Sequence, residues 1–226
     1  MITAAPDDPS ACLAATALLD ADHPEVRAFA ATAIGDAADP VTRAVRLYYA
    51  VRDGVRYDPY AIELTADGFR ASAVLARRRG FCVTKAGLLA AVARAAGIPA
   101  RLGFADVRNH LATERLRRMM GTDVFYYHGY AELWLEDAWR KATPAFNREL
   151  CERFRVRPLE FDGRADSIFH AYDADGRQHM EYLRDRGART DMPLDEIRAA
   201  MERYYPGLGA GAASGGDFHA EAEAER

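Results

Sequence analysis

The chain has 226 residues, half of them apolar, which suits one good-sized domain and excludes wholesale disorder. Its formal charge of −4 gives no general attraction for nucleic acid or an anionic membrane, and arginine clusters such as Arg77–Arg79 and Arg115–Arg118 read as solvated helix faces. Three cysteines (Cys12, Cys82 and Cys151) lack the spacing of a disulfide framework or a paired zinc site, and charges break the alanine-rich runs well short of a membrane span. MITAAPDDPS has no basic region feeding an apolar stretch, so no signal peptide is expected. The expected setting is reducing and cytoplasmic.

Residues 9–19 and 23–35 read as two short helices separated by Asp22-His23-Pro24. Asp39-Pro40 supplies an N-cap and a proline at the first helical position, opening a helix to about Val51 with Val41, Val45, Tyr48 and Tyr49 on its apolar side. Tyr57–Ala61 reads as irregular, and Ala71–Arg78 as a short helix with Ser72 as a cap. Gly80 ends that element. From Cys82 the pattern is helical again, with Leu88, Leu89, Val92 and Ala96 in one stripe and Lys85 and Arg94 on wetter positions, until Gly97 and Pro99 stop it.

Arg101–Val107 is predicted as a strand and Asn109–Arg118 as helical. VFYYHGYAELWLEDAWRKATPAFN then carries the clearest strand signal in the chain. Strict alternation puts Phe125, Tyr127, Gly129, Ala131, Leu133 and Leu135 on one face, and Tyr126, His128, Tyr130, Glu132 and Trp134 on the other. Glu136-Asp137 turns the chain into a second strand, Ala138–Thr143, closed by Pro144. A helix is expected over 148–157, loop-rich chain over Phe161–Met180, a helix over Pro193–Tyr204, and a flexible tail from Gly207 to the end. Helices first and a meander of strands later define an α+β class, with the helical N-terminal part packed on an antiparallel sheet and residues 1–206 as a single domain.

Chemistry concentrates at two places. Cys82 stands at the first turn of its helix, where unpaired backbone N–H groups and the positive end of the dipole favour thiolate and could hold an oxyanion. A buried structural thiol fits that placement equally. His128 is the one strand histidine that could serve as a base for it, if folding brings the two together; alone it is equally a satisfied surface group. Glu132 shares the face of His128 but lies about 13 Å along the strand, too far to orient the ring. Asp166, His170 and Asp173 sit in the polar, aromatic segment FDGRADSIFHAYDADGR, whose DADG lacks the rest of a calcium loop. Cys82, His110, His128 and Asp166 show no metal-ligand spacing, and the glycines form no phosphate loop. No cofactor and no metal are expected.

GFCVTKAGLLAAVARAAGIPAR resembles the cysteine segment of the transglutaminase-like superfamily, and HGYAELWLEDAWRKATPAFN its histidine strand, hairpin and following tryptophan strand. RAVRLYYAVRDGVRYDP is similar to the helix and tyrosine segment that precede them, so the resemblance runs over about residues 40–147. It implies a papain-like fold, Cys82 as nucleophile, His128 as general base and acid, and acyl-enzyme chemistry on a peptide, protein or other amide. Water or an amine acceptor would then release the acyl group, and a peptidase is favoured. Family members commonly place Asp-Pro after the second strand; here the residue is Thr143. A simple hairpin turn at Glu136-Asp137 puts Thr143 opposite Tyr130 and diagonal to His128. A threonine can hydrogen-bond the ring but cannot balance an imidazolium charge. Three readings stay open: a dyad helped by Thr143, an orienter supplied by Asp166 or Asn147, or an inactive binding module. Tyr57, Tyr126, Tyr130, Trp134 and His170 are candidate cleft residues.

Overall fold

The computed structural model describes residues 8–110, 112–168, 180–205, 207 and 216–225. A short 3-10 turn at Pro9–Cys12 replaces the first expected helix, because the Thr16 hydroxyl takes the Leu19 N–H that a helix would have sent to residue 15. Helix α1 (Pro24–Ile34) follows, then α2 (Pro40–Gly54), which Asp39 caps by accepting the Thr42 N–H at 2.8 Å. Strand β1 (Arg56–Tyr57), α3 (Ala66–Phe69), α4 (Ala71–Arg77) and β2 (Arg79–Gly80) lead to α5 (Cys82–Ala95). Ser72 does not cap α4; its N–H belongs to the Asp20 carboxylate.

Helix α5 is the centre of the molecule. Every residue from Cys82 to Arg94 is buried, so the helix is covered all round rather than along one stripe. Lys85 and Arg94, expected on wetter positions, are buried because each finds carbonyl partners from other segments. Lys85 Nζ donates to the Arg52 and Val55 carbonyls at the end of α2, at 2.8 and 2.5 Å. Burial pushes this amine down to about 7. Arg94 ties the Ala14, Ala100 and Thr190 carbonyls together. Buried cations of this kind cost free energy unless hydrogen-bonded, and here they hold three chain segments around one helix.

One side of α5 lies on a four-stranded antiparallel sheet of β3 (Ala100–Asn109), β4 (Val124–Leu135), β5 (Ala138–Ala142) and β6 (Met180–Arg189), ordered β5-β4-β3-β6. Helix α6 (Glu114–Met120), capped by Thr113, links β3 to β4, and α7 (Arg148–Phe154) follows β5. The β4–β5 hairpin turns at Glu136-Asp137, as expected from sequence, with Trp134 opposite Trp139 and Ala131 opposite Ala142. Strand β6 was not expected: half of it is exposed at the sheet edge, so MEYLRDRGAR has no sustained apolar alternation to betray it.

Helix α8 (Leu194–Tyr204) packs on β4, and α9 (Phe218–Ala224) packs on α7. The second is a correction, since a flexible tail was expected there. Phe218, His219 and Ala222 are buried against the body of the protein, and Asp217 caps the helix. A seven-residue helix is too short to persist alone, so tertiary contacts rather than propensity hold it. No described helix is long and apolar enough to cross a membrane.

Candidate active site

The chain places Cys82 with three devices. Parallel pairing of Tyr57 with Gly80 fixes the approach to α5, and the Asp58 N–H binds the Gly80 carbonyl at 2.9 Å. Thr84 then closes the turn by accepting the Phe81 N–H at 3.0 Å. A Cβ on Gly80 would sit 2.5 Å from that hydroxyl, which explains the glycine two residues before the thiol. Cys82 therefore opens α5 with its side chain toward β4.

His128 is aimed by an irregularity that alternation cannot foresee. Val107 pairs with Phe125 and Ala105 with His128, so Tyr126 and Tyr127 together oppose Asp106. This is a β-bulge, with Tyr127 in the left-handed region at φ 55°. For a tyrosine that conformation costs about 1–3 kcal/mol and needs support. Asp106 supplies it, accepting the Tyr127 N–H at 3.2 Å and the Arg186 Nε at 2.5 Å, while Arg186 covers the Tyr127 ring. The bulge corrects the predicted faces, because it puts Phe125 on the same side of the sheet as His128.

One residue further on, Gly129 lets β4 and α5 touch. A Cβ there would stand 2.8 Å from the Val83 Cα. The backbone N–H groups of Gly129, Val83 and Cys82 favour the thiolate form of Cys82.

Cys82 and His128 line one apolar cavity with Tyr57, Phe125, Tyr126, Tyr205 and other side chains from the loop after β1, from α6 and from α8. Its volume is about 30 Å³, room for one or two waters but for no acyl side chain. Cys82 is 6% exposed and His128 3%. Burial pushes the thiol up to about 11, outweighing the three N–H groups that pull it down. It also pushes the imidazole down to about 3. In this closed form both groups are neutral, so the thiolate expected at the helix terminus is absent and the N–H groups alone do not create it.

The other predicted residues separate clearly. Tyr57 and Tyr126 line the cavity; Tyr130 and Trp134 do not. Tyr130 covers Gly103, where a Cβ would fall 2.1 Å from its ring, and Trp134 packs edge-on with Trp139. Glu132 is engaged by Arg101 at 2.6 Å. Thr143 follows the last paired residue of β5, in the register predicted for it, and is buried. Its N–H goes to the Ser167 carbonyl, while its hydroxyl has no hydrogen-bond partner among the described residues.

Asp166 is engaged elsewhere on the sheet. It is exposed and accepts the Lys141 N–H at 2.9 Å, beside Glu132 and about four residues, roughly 13 Å, along the sheet from His128. Asn147 spends its amide oxygen on the Tyr57 N–H at 3.1 Å, so it secures the cavity wall. His170 and Asp173 lie outside the described residues. Sequence reading missed Asp106 and Tyr205. The first left a signal, a lone carboxylate inside the strand GFADVRN; the second left none, because only the docking of α8 brings it to the site.

The chain belongs to the transglutaminase-like superfamily, whose family model matches residues 27–144. It is similar in structure to a candidate cysteine protease from Cytophaga hutchinsonii, at 15% identity and a TM-score of 0.48, over 82% of this chain and 55% of that one. It is also similar to a candidate protease from Parabacteroides distasonis, at 16% identity and a TM-score of 0.37, over 56% of this chain and 25% of the other. This chain therefore spans about half the length of the first and a quarter of the second. No curated protein matches the chain.

Proposed function

We propose that the protein is a thiol-dependent acyl-transfer enzyme acting on peptide or amide carbonyls, with hydrolysis as its usual outcome. The observation that carries this reading is the shared cavity: Cys82 at the start of α5 and His128 on β4 line it together. His128 takes the thiol proton as sulfur attacks the carbonyl carbon, and the backbone N–H groups at the head of α5 bind the developing oxyanion. Collapse breaks the C–N bond, His128 returns the proton to the leaving amine, and a thioester remains on Cys82. Water then attacks with His128 as base, releasing the acid and the thiol; an amine in place of water would give transfer.

Neutral partners suit a resting enzyme. A thiol near 11 and an imidazole near 3 exchange no proton while both stay buried. Admitting substrate and water relieves the burial that separates the two values, so opening and activation are one event. Thr143 supports a second reading, a binding module that keeps the scaffold without turnover, because its hydroxyl brings no negative charge to balance an imidazolium.

The two are separated with an electrophilic peptidyl acyl probe and intact-mass analysis. The enzyme reading expects one adduct, at Cys82, lost in Cys82→Ala and slowed in His128→Asn, with Cys12 and Cys151 unmodified. Equal slow labelling of all three cysteines, unaffected at His128, supports the binding module.

A further inference from the structure

Two elements near the cavity around Cys82 differ in how they are held: α8 contributes to its lining, and α9 packs behind a lining residue. Helix α8 is woven into β4: the Tyr205 hydroxyl accepts the Tyr126 N–H at 2.5 Å and donates to the Val124 carbonyl at 3.0 Å, and Tyr204 stacks on Tyr126 at 3.7 Å. Displacing it would unmake the strand that carries His128.

Helix α9 touches the site through one wall residue. Phe218 packs against the Tyr57 ring at 5.7 Å, and the His219 Nε2 meets the Tyr57 carbonyl at 3.1 Å. Tyr57 also lines the thiol cavity. Around this single aromatic anchor the contacts are ionic. Asp217, Glu221 and Glu223 meet Arg56, Arg115 and Arg153, which come from β1, α6 and α7. Glu221 also accepts the Tyr60 hydroxyl at 2.5 Å, and Glu225 accepts the Glu114 N–H at the start of α6. Most of these charges are partly exposed, so salt weakens them. Between α8 and α9 the sequence runs GLGAGAASGG, with no charge and no aromatic residue.

The groove is thus a basic collar around an aromatic slot that abuts the wall of the thiol cavity. We propose that it is the docking site for an acidic peptide bearing one aromatic anchor, the class of substrate segment that reaches Cys82, and that α9 occupies it in cis. That the docked peptide is substrate rests on the catalytic reading above; the docking does not. When α9 leaves, Tyr57 loses its backing from Phe218 and the cavity can widen. A segment in trans with the same pattern, aromatic first and acids at the following helical positions, then takes the same arginines.

The test uses the full chain. In Phe218→Ala/Glu221→Gln, which loosens α9, alkylation of Cys82 by iodoacetamide should rise at least about tenfold over the unaltered chain. Adding a synthetic peptide of residues 217–225 should reverse that gain. The same peptide, fluorescein-labelled, should bind the loosened chain, and raising salt from about 50 to about 500 mM should weaken that binding. Replacing its phenylalanine by alanine should weaken it about tenfold or more. Arg153→Glu alone should speed alkylation, and Arg153→Glu with Glu223→Arg should restore the slow rate, which separates release of α9 from general unfolding. Unchanged alkylation in a folded Phe218→Ala/Glu221→Gln chain, or peptide binding indifferent to salt and to the phenylalanine, overturns the proposal. Alkylation reads access and not turnover. A gated chain that forms no acyl adduct therefore sinks the catalytic reading alone, and an ungated chain with His128-dependent acylation sinks this proposal alone.

Discussion

The seam between α5 and β4 and the seat of α9 meet at Tyr57, yet they are built from opposite materials. The first joins backbone to backbone: glycine at 129 brings Val83 against the strand, and everything from Cys82 to Arg94 is shut away from water. The second rests mostly on side chains, one phenyl ring and several half-exposed ion pairs, with His219 and Glu225 reaching backbone groups. Burial of the first kind stabilises a unique geometry, while the second is weak and tunable. On the proposed reading, the first holds the Cys82–His128 pair and the second sets access to it.

Several measurements would break or sharpen this contrast. The largest effect is expected at the chemistry itself. His128→Asn should lower the acylation rate of Cys82 by about 100-fold to 10,000-fold, the usual contribution of a positioned base, measured by quenched-flow mass analysis. Next comes the seam. Gly129→Ala puts a methyl 2.8 Å from the Val83 Cα, where only backbone movement relieves the clash, and should cost about 1–3 kcal/mol in urea unfolding. An alanine there that left stability untouched would show that the seam is looser than described.

Acid should act on the rigid half as well. His128 has a folded-state value near 3, below the ordinary 6.5, so the unfolded chain binds its proton more readily. The sign follows: stability from this group is complete above about pH 6.5 and falls as pH drops toward 3, by up to about 1.4 kcal/mol per unit. His128→Gln should flatten that limb of the unfolding profile. A wild-type curve level from pH 6.5 to 4 would contradict a buried, neutral imidazole.

Asp106→Asn should be milder. It keeps the size of the group that holds the Tyr127 N–H but removes the partner charge of Arg186, leaving the bulge less firmly braced. An expected loss of about 1–3 kcal/mol in stability should come with a fall in acylation rate, since the bulge aims His128. The smallest change is expected at Thr143, whose hydroxyl has no described partner. If Thr143→Ala leaves the pH profile of acylation unmoved, the threonine has no part in orienting the ring. A displaced profile in a normally folded protein would give it one.

Much of the architecture was legible because local signals agreed with the tertiary structure. Asp39-Pro40 capped its helix, Gly97 ended α5, and the Glu136-Asp137 turn set the hairpin register through Trp134 and Trp139. The sequence also singled out the two residues that share the cavity. What it hid depends on contacts between distant segments. Lys85 and Arg94 looked wet, since nothing local shows that the ends of α2 and β6 offer them carbonyls. The bulge at Tyr127 broke the alternation because Asp106, 21 residues away in sequence, captures its N–H. Asp166 attracted notice for its charge and proved to serve the Lys141 backbone. EAEAE looked like a solvated tail until three arginines from three elements gave it a seat.

The central claim is that the Cys82 sulfur is made nucleophilic by the imidazole of His128, and the pH dependence of acylation tests it most directly. Single-turnover acylation of Cys12→Ser/Cys151→Ser by a peptidyl ester should depend on a group titrating well below the free thiol. That low-pH limb should vanish in His128→Asn, leaving a slow rate that rises only as the thiol itself ionises. Identical profiles with and without His128 would mean that the two residues share a cavity and no chemistry.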